Sequence, residues 1–360
     1  MSDGFVHTFL PGRVVFGAGS LDQVAGEVEL LGVRRVLVVA TRSARDSADV
    51  VEVELGDRFA GRIDGVAQHV PTEVAEDARA KAREIGAEGI VAIGGGSAVG
   101  LAKAVALTSE LPNGLPIVAV PTTYAGSEMT PVWGETAGGS KTTGTDLKVL
   151  PRTVVYDAVL SQHLPKKVTA ASVANAIAHC VEAVWTPKAD PITETTAVEG
   201  VRALTAGLRK ILQDPTDLDA RSNLLYGACL GGSAFATAGT GLHHKLCHLL
   251  GGTYNLPHAE THAAVLPQVA RVNAPAVPRA KARLEEALHA DELAAGLYDL
   301  FTAAEIPTSL RDLGLTRKEA REAAHAFQPT ANPVPVTEEL VIEILTRAWS
   351  GDRPEGRKMS

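Results

Sequence analysis

The sequence has few cysteines, and they follow no metal-binding or disulfide pattern. Its 360 residues include three, at Cys180, Cys229 and Cys247. An odd number without close pairs argues against a disulfide scaffold and fits a reducing compartment. The N-terminal stretch MSDGFVHTFLPGRVVFG has neither a basic region nor a long apolar run. We therefore expect no export signal and a cytoplasmic protein.

An excess of positive charge is also absent, as are long hydrophobic runs and internal repeats. The formal net charge of −8 argues against nucleic acid or an anionic membrane as the main partner. No window approaches the roughly 18 apolar residues of a membrane span. Hydrophobic residues make up 45% and charged residues 21%, as in ordinary globular proteins. The length predicts two domains.

Buried strands alternate with helices in the first half. The runs RVLVVA (35–40), GIVAI (89–93) and IVAVP (117–121) are typical of strands buried on both faces, and 74–85 has helical spacing. This order predicts a parallel, Rossmann-like sheet. After Asp157 the sequence is rich in alanine and leucine. We therefore predict an α/β domain over 1–157 and an all-helical domain over 158–360.

Glycines follow the second of these strands, in GGGSAVGLAKAVAL. Such a turn lets the backbone approach a diphosphate at a helix start, although the pattern is not GxGxxG and also suits a turn without ligand. A second polar loop, PTTYAGSEMTP, follows the next strand. Because ligands bind at the carboxyl ends of such strands, the two loops together favour a dinucleotide. The predicted cofactor residues here are Gly94, Gly95, Gly96, Ser97, Thr122, Thr123 and Ser127.

The choice between NADH and NADPH stays open at this stage. The strand RVLVVA ends in Thr41-Arg42-Ser43, without the acid that usually binds the adenosine ribose. Arg42 could hold the extra phosphate of NADPH, and it equally fits a solvated loop charge. Thr41 and Arg42 join the predicted cofactor residues.

Five of the eleven histidines lie within 20 residues: His243, His244, His248, His258 and His262. His244 and His248 are four apart and share one helix face, as do Asn175 and His179 upstream. The glycine- and proline-containing turn LGGTYNLP could return His258 towards that face. Such a cluster predicts a divalent metal site, or a site for proton transfer and carboxylate binding if the metal is absent.

Six motifs resemble the maleylacetate reductases, a branch of the iron-containing (group III) alcohol dehydrogenase superfamily. In chain order they are GGGSAVGLAKAVAL, PTTYAGSEMTPVWGET, SKTTGTDLKVLP, ANAIAHCVEA, HHKLCHLLGGTYNLPHAETHAAVLP and NPVPVT. The resemblance covers about residues 5–349. It implies the architecture shared with dehydroquinate synthase: an N-terminal dinucleotide-binding domain, a C-terminal helical domain, and catalysis between them. It also implies a homodimer.

The resemblance assigns roles residue by residue. The superfamily's metal ligands fall on Asn175, His179, His244 and His258, but the metal-dependent alcohol dehydrogenases have aspartate at the first of these positions. With asparagine there, as in maleylacetate reductases, the resemblance implies no metal requirement. We call these four positions the frame, the remnant of a metal site. The loop PTTYAGSE is also one residue shorter than in many metal-dependent relatives. His248 matches a histidine assigned to proton relay.

The implied reaction is reduction of maleylacetate, a dicarboxylate, to 3-oxoadipate by NADH or NADPH in the catabolism of aromatic compounds. His244 and His248 are expected to polarise the substrate and donate the proton. The predicted positioning residues are His179, His258, Lys245, Tyr124 and Asn175. Lys245 equally fits a helix-surface lysine. Lys141 of SKTTGTDLKVLP completes the cofactor residues.

Four other functions remain open. One is a metal-dependent alcohol or aldehyde dehydrogenase that tolerates Asn175. Another is a reductase of a related unsaturated or keto acid. A non-catalytic dinucleotide sensor, or a cofactor-dependent lyase, belongs to a different class. The dense histidines argue against the sensor.

Overall fold

The computed structural model describes residues 4–67, 70–111, 113–138 and 140–355, without the side chains of residues 140 and 141. The predicted cofactor contact of the Lys141 side chain therefore lies outside the described part. The chain forms two compact units. One comprises residues 10–164 and 216–225, and the other the residues up to Phe9, 165–215 and those from Tyr226 onwards.

The first unit contains a six-stranded sheet in the order β1-β8-β5-β4-β2-β3, with all neighbouring strands parallel. Its strands are β1 (Arg13–Phe16), β2 (Val36–Ala40), β3 (Phe59–Asp64), β4 (Gly89–Gly94), β5 (Ile117–Pro121) and β8 (Thr153–Tyr156). The hairpin β6 (Val132–Ala137) and β7 (Ser140–Thr145) is antiparallel. The helices are α1 (Val24–Leu30), α2 (Arg45–Leu55), α3 (Thr72–Glu84) and α4 (Gly96–Leu107).

The core of this unit explains the sheet. Every residue of β2, β4 and β5 is buried, as expected for central strands covered on both faces. Val36, Val38, Val91, Ile93 and Val120 belong to one hydrophobic cluster. The parallel sheet predicted from the β-branched runs is confirmed.

The second unit is helical. Its elements are α5 (Lys166–Ala183), α6 (Pro191–Gln213), most of α7 (Leu218–Ala238), α8 (Leu242–Tyr254), α9 (His258–Asn273), α10 (Pro278–Leu288), α11 (Leu293–Ala303), α12 (Arg317–Ala326) and α13 (Glu338–Ser350). Helix α5 is buried over nearly its whole length and packs on α6 and α9. A helix that is apolar all round must lie at the centre of its domain. None of the described helices has the length and apolar character needed to span a membrane.

The two units and the predicted domains differ at their boundaries. The sequence places the change after Asp157, whereas the compact units divide after Leu164. Residues 216–225, the start of α7, also belong with the α/β unit because Arg221 donates to the carbonyl of Leu164 at 3.0 Å. A change in composition cannot reveal such a return of the chain.

The turn predicted in LGGTYNLP is shorter than expected. Helix α8 continues through Gly251 and Gly252 to Tyr254, and the chain reverses only at Asn255, whose φ is +53°. Asparagine tolerates this left-handed conformation and commonly ends helices. Helix α9 then starts at His258, directly after Pro257.

Candidate functional site

Both predicted cofactor loops lie at the carboxyl ends of neighbouring strands. Gly94 ends β4 with a φ of +146°, and a Cβ there would lie 2.6 Å from the Thr41 side chain at the end of β2. A Cβ on Gly95 would similarly lie 3.0 Å from Thr123, which follows β5. The absence of side chains thus lets the three strand ends pack closely, and α4 begins at Gly96. The first N–H groups of this helix therefore lie at this edge, and diphosphates commonly bind at such helix N-termini.

Further polar groups surround this edge. Ser127 lies 3.7 Å from the position of a Cβ on Gly96, and its hydroxyl is buried without a hydrogen-bond partner among the described residues. Thr122 donates its N–H to the carbonyl of Gly94 at 3.0 Å, which ties the two loops together. Arg42 is exposed after β2 and lies about 4 Å from the Cβ position of Gly65, which follows β3. The predicted cofactor residues with described side chains lie after β2, β4 and β5 and in the first turn of α4, and we call this edge of the sheet the cradle.

The helical unit brings the predicted histidines together. His179 on α5 and His244 on α8 are buried, and their rings stack with centroids 5.1 Å apart. Phe235 of α7 packs against both rings. His248, one turn after His244, is exposed, and its ring lies 6.2 Å from that of His244. The half-buried His258 stacks on His248 at 6.0 Å. The α8 face thus runs from solvent at His248 to the interior at His244.

A fully buried acid, Glu182 on α5, supports His244. Its Oε2 lies 2.5 Å from Nδ1 of His244, and its Oε1 accepts the backbone N–H of His243 at 2.6 Å. The carboxyl group therefore caps the start of α8, where unpaired N–H groups and the helix dipole favour a negative charge. Burial raises the pKa of Glu182, and the neighbouring His243 and the backbone N–H donors oppose that rise.

These contacts determine the proton positions on His244. When Glu182 is ionised it can only accept hydrogen bonds, and Nδ1 of His244 then carries the proton and donates it. Burial lowers the pKa of His244, which keeps the resting ring neutral. Its Nε2 is buried, has no hydrogen-bond partner among the described residues, and carries a lone pair. This arrangement is the one by which buried acids orient catalytic or metal-binding histidines.

A second line of histidines leads from His243 to His258. Nε2 of His243 lies 2.7 Å from Nδ1 of His262, and Nε2 of His262 lies 3.3 Å from Nε2 of His258. His243 and His262 are fully buried, and burial lowers the pKa of each. The neutral rings of His243 and His262 are therefore hydrogen-bonded to each other. The hydrogen bond between His262 and His258 orients the ring of His258.

Two family models match this chain. The iron-containing alcohol dehydrogenase model matches residues 11–158, and the C-terminal model of the Fe-containing alcohol dehydrogenase family matches residues 169–349. A maleylacetate reductase of Pseudomonas sp. (strain P51) is 45% identical over 98% of this chain and 99% of its own. A maleylacetate reductase from Sphingobium indicum is 46% identical over 97% of this chain and 99% of its own length. The chain belongs to the maleylacetate reductases of the iron-containing alcohol dehydrogenase family.

Solved structures agree with this assignment. The crystal structure of maleylacetate reductase from Agrobacterium tumefaciens has a TM-score of 0.92 at 39% identity and covers 98% of this chain and all of that one. That from Rhizobium sp. strain MTP-10005 also has a TM-score of 0.92, at 40% identity with the same coverage. The fold, the family and the oxidoreductase class predicted from the motifs are confirmed.

The family name implies a metal, and the donor set of this chain lacks the anion that favours one. The four frame positions offer three imidazoles and the amide of Asn175, with no negative charge. Among the described residues, a different trio brings its ligand nitrogens within 4.8 Å: His243, His244 and His262. Within that trio, His243 and His262 are hydrogen-bonded to each other. In the frame itself, Nδ1 of His179 and Nε2 of His244 are buried without a hydrogen-bond partner among the described residues, so the frame persists with neutral donors.

Two predicted positioning residues have other contacts in this structure. The hydroxyl of Tyr124 donates to Ser161 at 3.2 Å and accepts from Arg221 at 3.0 Å, and the residue is fully buried in the α/β unit. We therefore assign Tyr124 to packing. Lys245 is exposed on α8 and donates to the Thr330 hydroxyl, so it fits the helix-surface alternative. In both cases the motif gave the residue type but not the direction of the side chain.

Sequence reasoning missed Glu182, the acid that orients His244. The available signal was its place in AHCVEA, three residues after His179 and hence on nearly the same helix face. An acid in a helix that is otherwise apolar needs a partner. That partner lies 62 positions away, beyond the reach of local spacing.

Proposed function

We propose that this protein catalyses reduction of the carbon–carbon double bond of maleylacetate by NADH or NADPH, yielding 3-oxoadipate in aromatic catabolism. The observation that carries the proposal is the buried Glu182–His244 pair, with exposed His248 one turn away, in a chain about 45% identical to maleylacetate reductases over nearly its full length. The α/β unit binds the cofactor, and the helical unit binds the dicarboxylate.

The chemistry requires three things of the residues. The bound nicotinamide supplies a hydride to the alkene carbon β to the ketone. The electron pair of the double bond then moves to the ketone oxygen as an enolate, and the α carbon takes a proton. The site must therefore bind two carboxylates, stabilise the oxygen charge and deliver one proton.

His244 and His248 meet the last two requirements. When protonated, His244 directs its Nε2–H to the developing oxyanion, and Glu182 behind it stabilises the imidazolium. His248 is exposed on the same helix face and takes up the proton from solvent. In this proposal His244 polarises the ketone, and His248 donates the proton to the α carbon and regains it from solvent.

Asn175, His179 and His258 bind the substrate carboxylates in this proposal. An aspartate at position 175 would repel a dicarboxylate, whereas the amide of asparagine can donate hydrogen bonds to it. The same substitution removes the anion that a divalent metal would need. We therefore propose that turnover requires no metal.

Two further proposals concern assembly and location. The edge strand β1 exposes Val14 and Phe16, each at 44%. Exposed apolar side chains on an unpaired edge favour pairing with another strand, so we propose a homodimer, with a cytoplasmic location. Sedimentation equilibrium would measure the mass, and a V14K/F16K double variant would shift a dimer that uses this edge towards monomer.

The decisive experiment follows oxidation of NADH and of NADPH at 340 nm with maleylacetate, before and after treatment with EDTA. We expect substrate-dependent oxidation and unchanged turnover after chelation. Loss of activity on chelation, restored by zinc or iron, would instead favour a metal-dependent alcohol or aldehyde oxidoreductase. No oxidation with maleylacetate, together with activity on another unsaturated or keto acid, would overturn the substrate assignment.

A further inference from the structure

Lys103 of α4 is a buried cation to which the proposed chemistry gives no role. Only 1% of the residue is exposed. Its Nζ donates to the carbonyl oxygens of Ser127 and Thr130, each at 2.7 Å, and to that of Val132 at 2.8 Å. The hydroxyl of Thr130 lies 3.1 Å from the same nitrogen. One ammonium group thus contacts three backbone carbonyls and one hydroxyl of a single short segment.

The segment held by Lys103 borders the cofactor cradle. Its first residue, Ser127, carries the buried hydroxyl that has no partner among the described residues and faces Gly96. Gly126 immediately before it has a φ of +73°, so the loop makes a sharp turn there. Lys103 lies on the helix whose first turn forms the other side of the cradle. The ammonium therefore links the two sides.

Burial of the Lys103 ammonium group is energetically unfavourable. Desolvation lowers the pKa of Lys103 to about 7, and the buried Glu128 opposes that shift. Glu128 in turn accepts the hydroxyl of Tyr156 at 2.8 Å. An apolar side chain of similar volume often stabilises a fold as well as a buried ion does. A lysine here suggests a requirement for accurate placement of the loop.

We propose that Lys103 is a positioning residue for the cofactor, holding the Ser127 loop at the distance from the α4 N-terminus that a dinucleotide diphosphate requires. This inference rests on the proposed function, because it presupposes that NADH or NADPH binds in this cradle. Lys103 acts through Ser127 and the loop backbone and does not touch the cofactor.

The chain offers a matched control in Arg79. It is also a buried cation, 6% exposed, and it donates to the carbonyl of Ala104 on α4 at 3.0 Å. Its other partners are Glu76 and Glu135. R79M therefore removes a buried cation of α3 that contacts α4, without removing a bond to Ser127 or Thr130.

The experiment compares K103M and R79M with wild type. Dissociation constants of NADH and NADPH are measured by fluorescence, KM for maleylacetate by steady-state kinetics, and stability by thermal unfolding. We expect K103M to raise both cofactor dissociation constants 10- to 100-fold and to change the maleylacetate KM less than threefold. R79M should lower the melting temperature comparably while changing cofactor binding less than threefold.

A double-mutant cycle with S127A tests the route of the effect. If Lys103 acts by placing Ser127, S127A should weaken cofactor binding in wild type but have little further effect in K103M. If K103M does not fold, T130V removes the hydroxyl between Lys103 and the Ser127 carbonyl and should weaken binding 3- to 10-fold. Additive effects in the cycle, equal effects of K103M and R79M, or unchanged binding in T130V would overturn the inference. Wild-type protein that binds neither cofactor would instead overturn the proposed function.

Discussion

Replacing Glu182 with glutamine should reverse the protonation pattern of His244. Glutamine has nearly the same shape, and its carbonyl can still accept the N–H of His243 at the start of α8. Its amide group, however, would face Nδ1 of His244, 2.5 Å from the carboxylate oxygen that it replaces. Since an amide N–H can only donate, the imidazole proton would move from Nδ1 to Nε2. The lone pair that must take up the proton would then point away from the substrate.

The magnitude follows from the geometry. A hydrogen bond to a charged group is about twice as strong as a neutral one, a loss of about 1–1.5 kcal/mol. The carboxylate also stabilises the imidazolium by about 4 kcal/mol at 4 Å with an effective dielectric constant of about 20. These terms overlap, so we expect a total loss of about 2–4 kcal/mol. That corresponds to a fall in kcat of roughly 30- to 1,000-fold.

The assay is steady-state oxidation of NADH with saturating maleylacetate, supported by thermal unfolding. A matched control is E338Q, because His325 and Glu338 form an exposed His–Glu pair at 2.6 Å. E338Q should leave kcat unchanged, since solvent screens an exposed pair. A kcat for E182Q within threefold of wild type would refute the role of the pair. So would an equal loss in E338Q.

Three further predictions follow from the same structure. N175D should place an anion among the frame residues and so favour metal binding. Plasma mass spectrometry should then find more bound zinc or iron per chain, and the KM for maleylacetate should rise. An unchanged metal content would contradict this prediction. R42A should raise the KM for NADPH about tenfold, equivalent to about 1.4 kcal/mol, and that for NADH less than twofold; equal changes would remove Arg42 from the phosphate site. The third concerns pH. Burial raises the pKa of Glu182, so the folded state holds the proton of this carboxyl group more tightly than the unfolded state does. The protonated carboxyl group therefore contributes stability at low pH, and this contribution is lost as the pH rises above about 4.5. As the pH rises, E182Q should therefore become more stable relative to wild type, as measured by urea unfolding at several pH values. A difference in unfolding free energy that does not change with pH would contradict the raised pKa of Glu182.

The sequence predicted those parts of the fold that depend on local pattern. The central strands β2, β4 and β5 were visible because their residues are β-branched and buried on both faces. The edge strand β3, with the sequence FAGRID, is only half-buried and lacks that pattern. The hairpin β6–β7 lacks that pattern too, because its sequences VWGETA and SKTTGT are largely polar, and no strand is predicted from them.

The candidate site divides in the same way. Asn175 with His179, and His244 with His248, were paired correctly because helical spacing alone places them on one face. The strand-end loops met as predicted because parallel strands end at the same edge. The contacts of Glu182, Tyr124 and Lys245 depend on tertiary packing across many positions, and no local periodicity encodes them.

The location of the negative charge connects these findings. An aspartate at position 175 would place an anion among the ligand positions themselves, where it would bind a metal and repel a dicarboxylate. In this chain the described histidine cluster has its anion at Glu182, on the far side of His244 from the unpaired Nε2. From there the charge cannot ligate a metal in the frame, yet it still favours protonation of the imidazole between it and the substrate. An anion behind the histidine, with none at position 175, therefore suits the proposed site that binds carboxylates and delivers a proton. The N175D and E182Q variants test the two halves of this argument separately, because one adds charge in front of His244 and the other removes it from behind.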